Sequence, residues 1–255
     1  MTENDQQKHS SSFRLAEFDS EFLLGDSMRG ERLHLEFAKA DERLRKWGIR
    51  STVVIFGSSR VTAGHAGGGG RTDEPAARRE RWYEQARRLG RIVSQRGGAL
   101  SPHDGMRDNV IATGGGPGLM EAANRGAFEI GAPSIGFNIA LPTGQEPNPY
   151  TTPDLTFQFR SFAIRKMHLA MRAAALVIFP GGFGTFDELF EILTLMQTRK
   201  TPAIPVICID REFWRRAVNF DFLISEGMIH ASEMGMLRFA EDAEEAWQLI
   251  QAPRA

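Results

Sequence analysis

Apolar positions recur along this chain at two different spacings, and the change from one to the other divides it. Residues 1–12, MTENDQQKHSSS, carry almost no apolar side chain and predict a disordered tail. Residues 13–48 predict a helical extension. There Leu33, Phe37, Ala40, Leu44 and Trp47 follow one another at spacings of four, three, four and three, which lays one apolar stripe along a helix, and Gly48 is placed to end it. From residue 49 the pattern changes. Thr52-Val-Val-Ile-Phe56 is an unbroken β-branched and apolar run that stops at Gly57-Ser58-Ser59. A glycine-rich loop over 63–70 leads to a helix with Trp82, Ala86, Leu89 and Val93 on one face. Arg79, Arg81, Arg87, Arg88 and Arg91 lie on the other, which reads as a solvated face. Strands at 109–112, 134–138, 174–179 and 205–209 then alternate with helices at 119–130, 186–197 and 240–251. Strands that are apolar on both sides and alternate with helices imply a parallel sheet covered on both faces. The predicted fold class is α/β: a Rossmann-like, open, mostly parallel sheet over residues 49–255, with an N-terminal helical extension.

Composition narrows the function. The chain has 255 residues, 42% hydrophobic and 25% charged, with a net charge of -1. That balance argues against a general binder of nucleic acid polymers, which carries a basic excess. The longest apolar run, 173–179, is far too short to span a bilayer, and the polar N-terminus does not read as a signal peptide, so a cytoplasmic protein is expected. The single cysteine, Cys208, allows no intramolecular disulfide and reads as a buried, inert thiol in a strand. The six histidines form no pair at ligand spacing, so no metal site is expected, and His103-Asp104 reads as a loop pair. Met167, Met171 and Met196 read as core filler.

The chemistry gathers in loops. Gly57-Ser58-Ser59, the stretch 114–118 (Gly-Gly-Gly-Pro-Gly) and the stretch 181–185 (Gly-Gly-Phe-Gly-Thr) each follow a strand, and the last two open into helices. Open parallel sheets bind ligands beyond the carboxyl ends of their strands. Glycine lets the backbone approach a ligand, and a helix start offers free N–H groups to an anion. A dinucleotide G-x-G-x-x-G fails in both loops, at Leu119 and at Asp187, and no Gly-Lys-Ser/Thr of a Walker loop occurs. The loops therefore resemble a mononucleotide cradle more than an NAD or ATP site.

Pro180-Gly-Gly-Phe-Gly-Thr-Phe-Asp-Glu188 resembles the PGGxGTxxE signature of the LOG family, and Arg165-Lys166 stands upstream at the separation of that family's Arg-Lys pair. The stretch 141–150 and the stretch 159–197 resemble the longer bacterial members, often labelled lysine decarboxylases, and the likeness covers roughly residues 50–210. One residue, Pro117, separates the triple glycine from Gly118, as in those longer members. The shorter plant-type members have two. The resemblance implies a phosphoribohydrolase that needs no cofactor. It would hydrolyse the N-glycosidic bond of a nucleoside 5′-monophosphate, such as AMP, to free base and ribose 5-phosphate, and work as a homodimer or higher homo-oligomer. Glu188 matches the family's catalytic glutamate and Arg165 its catalytic arginine. Gly57, Ser58, Gly114, Gly115, Gly116, Gly118, Met120, Lys166, Gly181, Gly182, Gly184, Thr185 and Glu191 are the candidates for holding the substrate and its phosphate.

Other readings compete. Thr185-Phe-Asp-Glu188 also spells a capping box, in which Thr185 starts a helix and Glu188 reaches back to its N–H. A nucleotide or cofactor carrier without turnover could use the same loops, although it would not need the glutamate. A pyridoxal-phosphate decarboxylase would need a Schiff-base lysine. Of five lysines only Lys166 lies near the motif, and this reading is disfavoured.

Overall fold

A computed structural model of the chain describes residues 3–64, 74–142, 144 and 146–252. Most of the glycine-rich loop expected over 63–70 lies outside the described residues, as do the first two residues of the expected tail and Thr143 and Gln145. The chain begins with two short helices, α1 (Asp5–Lys8) and α2 (Ser20–Leu24), neither of which buries a residue. A long helix, α3 (Arg29–Lys46), follows. Its apolar stripe turns inward only towards the C-terminal end. Ala40 and Leu44 are fully buried in the main core, while Leu33 stays exposed. Gly48 ends the helix with a positive φ of 64°, as its spacing predicts.

The sheet then begins with β1 (Thr52–Phe56), followed by α4 (Glu74–Arg96), β2 (Val110–Thr113), α5 (Leu119–Phe128), β3 (Ser134–Ile139), β4 (Thr156–Phe159), α6 (Phe162–Met171), β5 (Ala173–Ile178), α7 (Phe183–Gln197), β6 (Val206–Ile209), α8 (Arg211–Ala217), α9 (Phe220–Ser225), β7 (Leu237–Ala240) and α10 (Ala243–Gln251). The strands lie in the order β4-β3-β2-β1-β5-β6-β7, and every neighbouring pair is parallel. Because successive side chains point to opposite faces, β1 feeds two cores. Val54 and Phe56 join Leu44 of α3, Leu169 of α6 and Leu189 of α7. Val53 and Ile55 join Leu89 of α4, Ala123 of α5 and Trp247 of α10. The expected α/β fold, a Rossmann-like parallel sheet with helices on both faces, is therefore the one the chain forms.

Several expectations need correction in detail. β4 and β7 are strands that the apolar pattern does not reveal, and residue 240, expected to open the last helix, closes β7 instead. Met196 is buried, but Met167 and Met171 are 47% and 52% exposed. The inward face of α6 belongs to Arg165, His168 and Leu169, which turns those two methionines outward. On α4, Arg79, Arg81 and Arg88 are solvated, whereas Arg87 and Arg91 close on Glu129 beside α5. Cys208 is buried, and burial pushes its thiol up to about 12. No helix among the described residues is long and apolar enough to cross a membrane.

Candidate active site

The chain runs outward from β1 through β2 and β3 to β4, then returns to place β5 on the other side of β1. Loops leaving β1 and β5 therefore diverge over a crevice, the position at which open α/β sheets take ligands. Two adjoining clefts occupy it. One, of about 690 Å³, lies between Ser58, Ser59 and Arg60 and the residues 182–186 at the start of α7. The other, of about 360 Å³, is lined by Phe56, Gly114, Met120, Leu141, Phe162, Arg165, Asp187 and Glu188 among others. Ser59, Gly184 and Thr185 border both.

Arg165 and Glu188 meet in the second cleft. They come from α6 and α7, are 7% and 4% exposed, and pair through Nη1 and Oε1 at 2.9 Å. Arg165 is fixed on its other sides too. Its Nε donates to the Phe137 carbonyl at 2.7 Å, its guanidinium lies 5.6 Å over the Phe56 ring, and a Cβ on Gly114 would stand 2.6 Å from its Nη2. Burial holds the Glu188 carboxyl above its ordinary range, and the Arg165 and Lys166 charges only partly oppose that. The result is a positioned, desolvated carboxylate beside a guanidinium, a usable base or a partner for a developing cation.

The start of α7 decides between two readings of the sequence. The helix begins at Phe183 with Gly182 as its N-cap. Thr185 thus lies inside the first turn, with its N–H bonded to the Gly182 carbonyl at 2.9 Å. Glu188 reaches across to Arg165, and the capping box that Thr185 and Glu188 could spell is not formed. The reason is steric. Thr185 is 4% exposed and folds over Gly181, where a Cβ would stand 2.1 Å from its Oγ1. At Gly182 and Gly184 a Cβ would meet nothing within 4 Å, so the fold itself does not require glycine there. Their bareness leaves open space beside a helix start whose first N–H groups lack intrahelical acceptors.

The loop 114–118 is held from behind by buried amides. Asn148 receives the Gly115 carbonyl on its backbone N–H at 2.8 Å and donates Nδ2 to the Gly116 carbonyl at 3.1 Å. It also donates to Asn124 Oδ1 at 3.0 Å, which in turn accepts from Thr113 Oγ1 at 2.7 Å. The Gly115 N–H donates to that same Thr113 Oγ1. Drawing the carbonyls inward fixes the loop against the cleft. Gly118 adopts φ 77°, and a Cβ there would stand 2.4 Å from the Ser58 carbonyl oxygen, so this loop and the one after β1 touch.

The structure thus brings together Gly57, Ser58, the glycines of 114–118, Met120, Arg165, Gly181, Gly182, Gly184, Thr185 and Glu188. Lys166 and Glu191 stand to the side, in an ion-paired trio. Lys166 Nζ lies 2.8 Å from both Asp187 and Glu191. Sequence reasoning overlooked Arg60, which makes no salt bridge among the described residues, and it overlooked Asn124 and Asn148. Asn124 was detectable as a polar residue on the otherwise apolar inner face of α5.

Residues 120–250 match a family model described as "Possible lysine decarboxylase". The chain is 23% identical over 146 residues to the cytokinin riboside 5'-monophosphate phosphoribohydrolase LOG2 of Arabidopsis thaliana, covering 56% of this chain and 67% of that protein. It is 26% identical over 140 residues to the "Probable cytokinin riboside 5'-monophosphate phosphoribohydrolase LOG4" of Oryza sativa subsp. japonica, covering 54% of this chain and 60% of that one. The X-ray structure of TM1055, a structural genomics target, superposes with a TM-score of 0.51 at 20% identity over 79% of this chain and 98% of its own, a likeness of fold alone. The model match spans more than half of the sequence and contains both Arg165 and Glu188, and the chain belongs to this family, the LOG family that carries the possible-lysine-decarboxylase description.

Proposed function

We propose that this protein hydrolyses the N-glycosidic bond of a purine nucleoside 5′-monophosphate, AMP serving as the first substrate to try. The observation that carries the reading is the buried Arg165–Glu188 pair in the second cleft, which adjoins the first along Ser59, Gly184 and Thr185. Arg60, the Ser58 and Ser59 hydroxyls and the uncapped start of α7 suit a phosphate. Asp187 and Glu188 suit a sugar that develops positive charge, and Met120, Leu141 and Phe162 offer apolar surface to a planar base. As the bond from C1′ to the base nitrogen lengthens, the Glu188 carboxylate stabilises the sugar cation and takes a proton from the attacking water. The water oxygen bonds to C1′, and the base departs with its bonding electrons and acquires a proton. Arg165 holds the carboxylate in place. The names of the plant relatives support this class of reaction. A panel of nucleoside 5′-monophosphates and their nucleosides, assayed for free base, tests it. Turnover is expected with a nucleotide and poor turnover with the matching nucleoside. Equal rates would leave the phosphate loops without a role.

Decarboxylation through a lysine Schiff base fits the residues poorly. Burial by itself would lower the Lys166 ammonium, but hydrogen bonds to Asp187 and Glu191 outweigh it and hold the group above its ordinary value. A Schiff-base lysine must become neutral. The other four lysines are exposed.

The pH dependence of turnover follows from the same charges. Glu188 must be ionised to act, so the acid limb of kcat/KM is expected above the ordinary glutamate value of 4.5. Lys166→Met removes a positive charge that lowers the Glu188 pKa and frees two carboxylates that raise it. Both effects move the acid limb to higher pH. A limb that stays in place, or moves down, in a pH–rate profile of this variant would show that Glu188 does not set it.

We also infer that the protein works as a homodimer. Phe162, Met167 and Met171 on α6, with Phe183 and Phe190 on α7, expose apolar surface beside the cleft, Phe183 being 97% exposed. Sedimentation equilibrium is expected to return twice the chain mass, and a monomer at micromolar concentration would contradict the inference.

A further inference from the structure

The helix that carries Arg165 is gripped from outside the sheet. Two residues, Arg160 and Ser161, separate β4 from α6, and the backbone N–H groups of both donate to a single carboxylate on α3. Arg160 N–H meets Glu36 Oε1 at 3.0 Å and Ser161 N–H meets Glu36 Oε2 at 3.1 Å. The same side of α3 reaches α6 twice more. Phe37 stacks on the His168 ring at 5.0 Å and offers its carbonyl to His168 Nε2 at 3.2 Å. Asp41 accepts from Arg172, the residue that ends α6, at 2.6 Å. The three contacts sit at the start, middle and end of the helix.

The first of these leads directly to the candidate active site. The Ser161 N–H is fixed by Glu36, and the Ser161 carbonyl accepts from the Arg165 N–H at 3.2 Å, closing the turn that ends at Arg165. The side chains of that turn give little other anchorage. Phe162 is 52% exposed, Ala163 is exposed and Ile164 is only half-buried. Packing therefore leaves the start of α6 loose, and a carboxylate that accepts two adjacent N–H groups at the positive end of a helix is suited to fix it.

We propose that Glu36 is a positioning residue of the active site: it holds the 160–161 turn so that Arg165 meets Glu188, which makes α3 of the N-terminal extension part of the catalytic unit. The inference rests on the phosphoribohydrolase reading for its kinetic half and on geometry alone for its structural half. In that reading the phosphate contacts lie on the loop after β1 and at the start of α7, and of the base contacts Met120 and Leu141 lie off α6 while the half-exposed Phe162 lies on it. Loosening α6 should therefore lower kcat much more than it raises KM.

The test uses the full chain with Glu36→Ala, Glu36→Gln and, as a control on an exposed residue of the same helix, Lys39→Ala. Amide hydrogen exchange of residues 160–165 is expected to speed up roughly tenfold or more in Glu36→Ala, the effect of losing two charge-assisted hydrogen bonds. Exchange in β1 should not change. kcat for base release is expected to fall roughly 10- to 100-fold with a much smaller rise in KM, the scale of a small misplacement of reacting groups. Glu36→Gln keeps one acceptor oxygen and should fall between, and it carries the test if the alanine variant does not fold. Wild-type exchange at 160–165 in Glu36→Ala, or faster exchange with unchanged kcat, would overturn the proposal. If the wild-type protein releases no base from any nucleotide, the reaction reading fails. Faster exchange in the variant would still support the clamp as a structural feature, so the two failures can be told apart.

Discussion

Replacing Glu188 with glutamine is expected to lower base release roughly 10²–10⁴-fold, the usual worth of a positioned acid–base group, with no loss of stability at neutral pH. Glutamine keeps the length of the side chain and an oxygen that can accept from Arg165 Nη1 in place of Oε1. It cannot carry the charge that faces a forming sugar cation, nor take a proton from water. The stability half follows from linkage. Burial raises the Glu188 pKa in the folded chain, so its contribution favours folding while the group is protonated and is lost as pH rises through the folded value. A neutral isostere should then be at least as stable as the wild type at pH 7, and the difference should vanish at pH values below both pKa values. Because Glu188 makes no cap at the start of α7, loss of a helix cap cannot account for any loss of activity. Near-normal turnover in Glu188→Gln would remove this residue from the mechanism.

Arg165→Ala is expected to be costly in both activity and stability. The guanidinium is 7% exposed and holds the Phe137 carbonyl and Glu188 together. Without it Glu188 is a buried carboxylate with no partner, a loss of about 3–5 kcal/mol, or on the order of 10 °C in Tm for a chain of this size. Turnover should fall at least 100-fold, since the reactive carboxylate loses both its orientation and part of its charge. The deficit has a sign in pH. Losing Arg165 raises the Glu188 pKa further, so acidification, which neutralises the stranded carboxylate, should narrow the Tm gap to wild type. For the same reason the double variant Arg165→Ala with Glu188→Gln should be more stable than Arg165→Ala alone at neutral pH, a non-additivity expected of residues in contact. Thermal unfolding of the four proteins between acid and neutral pH checks this. Equal Tm values for wild type and Arg165→Ala would show that the pair does not hold this part of the fold.

The parts of the molecule that could be read from the sequence are those in which one face of an element meets one solvent. β1, β2, β3, β5 and β6 are short, apolar runs because helices cover both faces. β4 and β7 are the two edges of the sheet, with Thr156, Gln158, Arg238 and Phe239 partly or fully open to solvent, so neither presents an apolar run to recognise. Met167 and Met171 looked like core because methionine usually fills cores. The inward face of α6 is instead taken by Arg165, which pairs with Glu188, by His168, which packs among Phe37, Phe137 and Phe159, and by Leu169. The glycine loops were legible because their spacing is local, and Arg165 and Glu188 were legible one by one through the family motif, while their pairing across 23 residues was not. Nor were the supports of these loops and of this pair. Asn148 holds a loop 32 residues earlier in the chain, and Glu36 holds a turn more than a hundred residues later. Pairings of that kind are made by the fold, and no periodicity records them. The start of α7 was misplaced by the same cause, since Thr185 is drawn inward by tertiary packing against Gly181 when its sequence context suits a cap.

The most direct measurement is the product pair from AMP. Purified protein incubated with AMP is expected to yield adenine and ribose 5-phosphate in equal amounts, with the oxygen newly bonded at C1′ derived from labelled water. Adenosine should be cleaved far more slowly, and Glu188→Gln should yield neither product from AMP at a comparable rate. Binding of AMP without release of adenine, across a panel of purine nucleoside 5′-monophosphates and at any pH between 5 and 9, would contradict the assignment and leave a nucleotide carrier on the LOG fold.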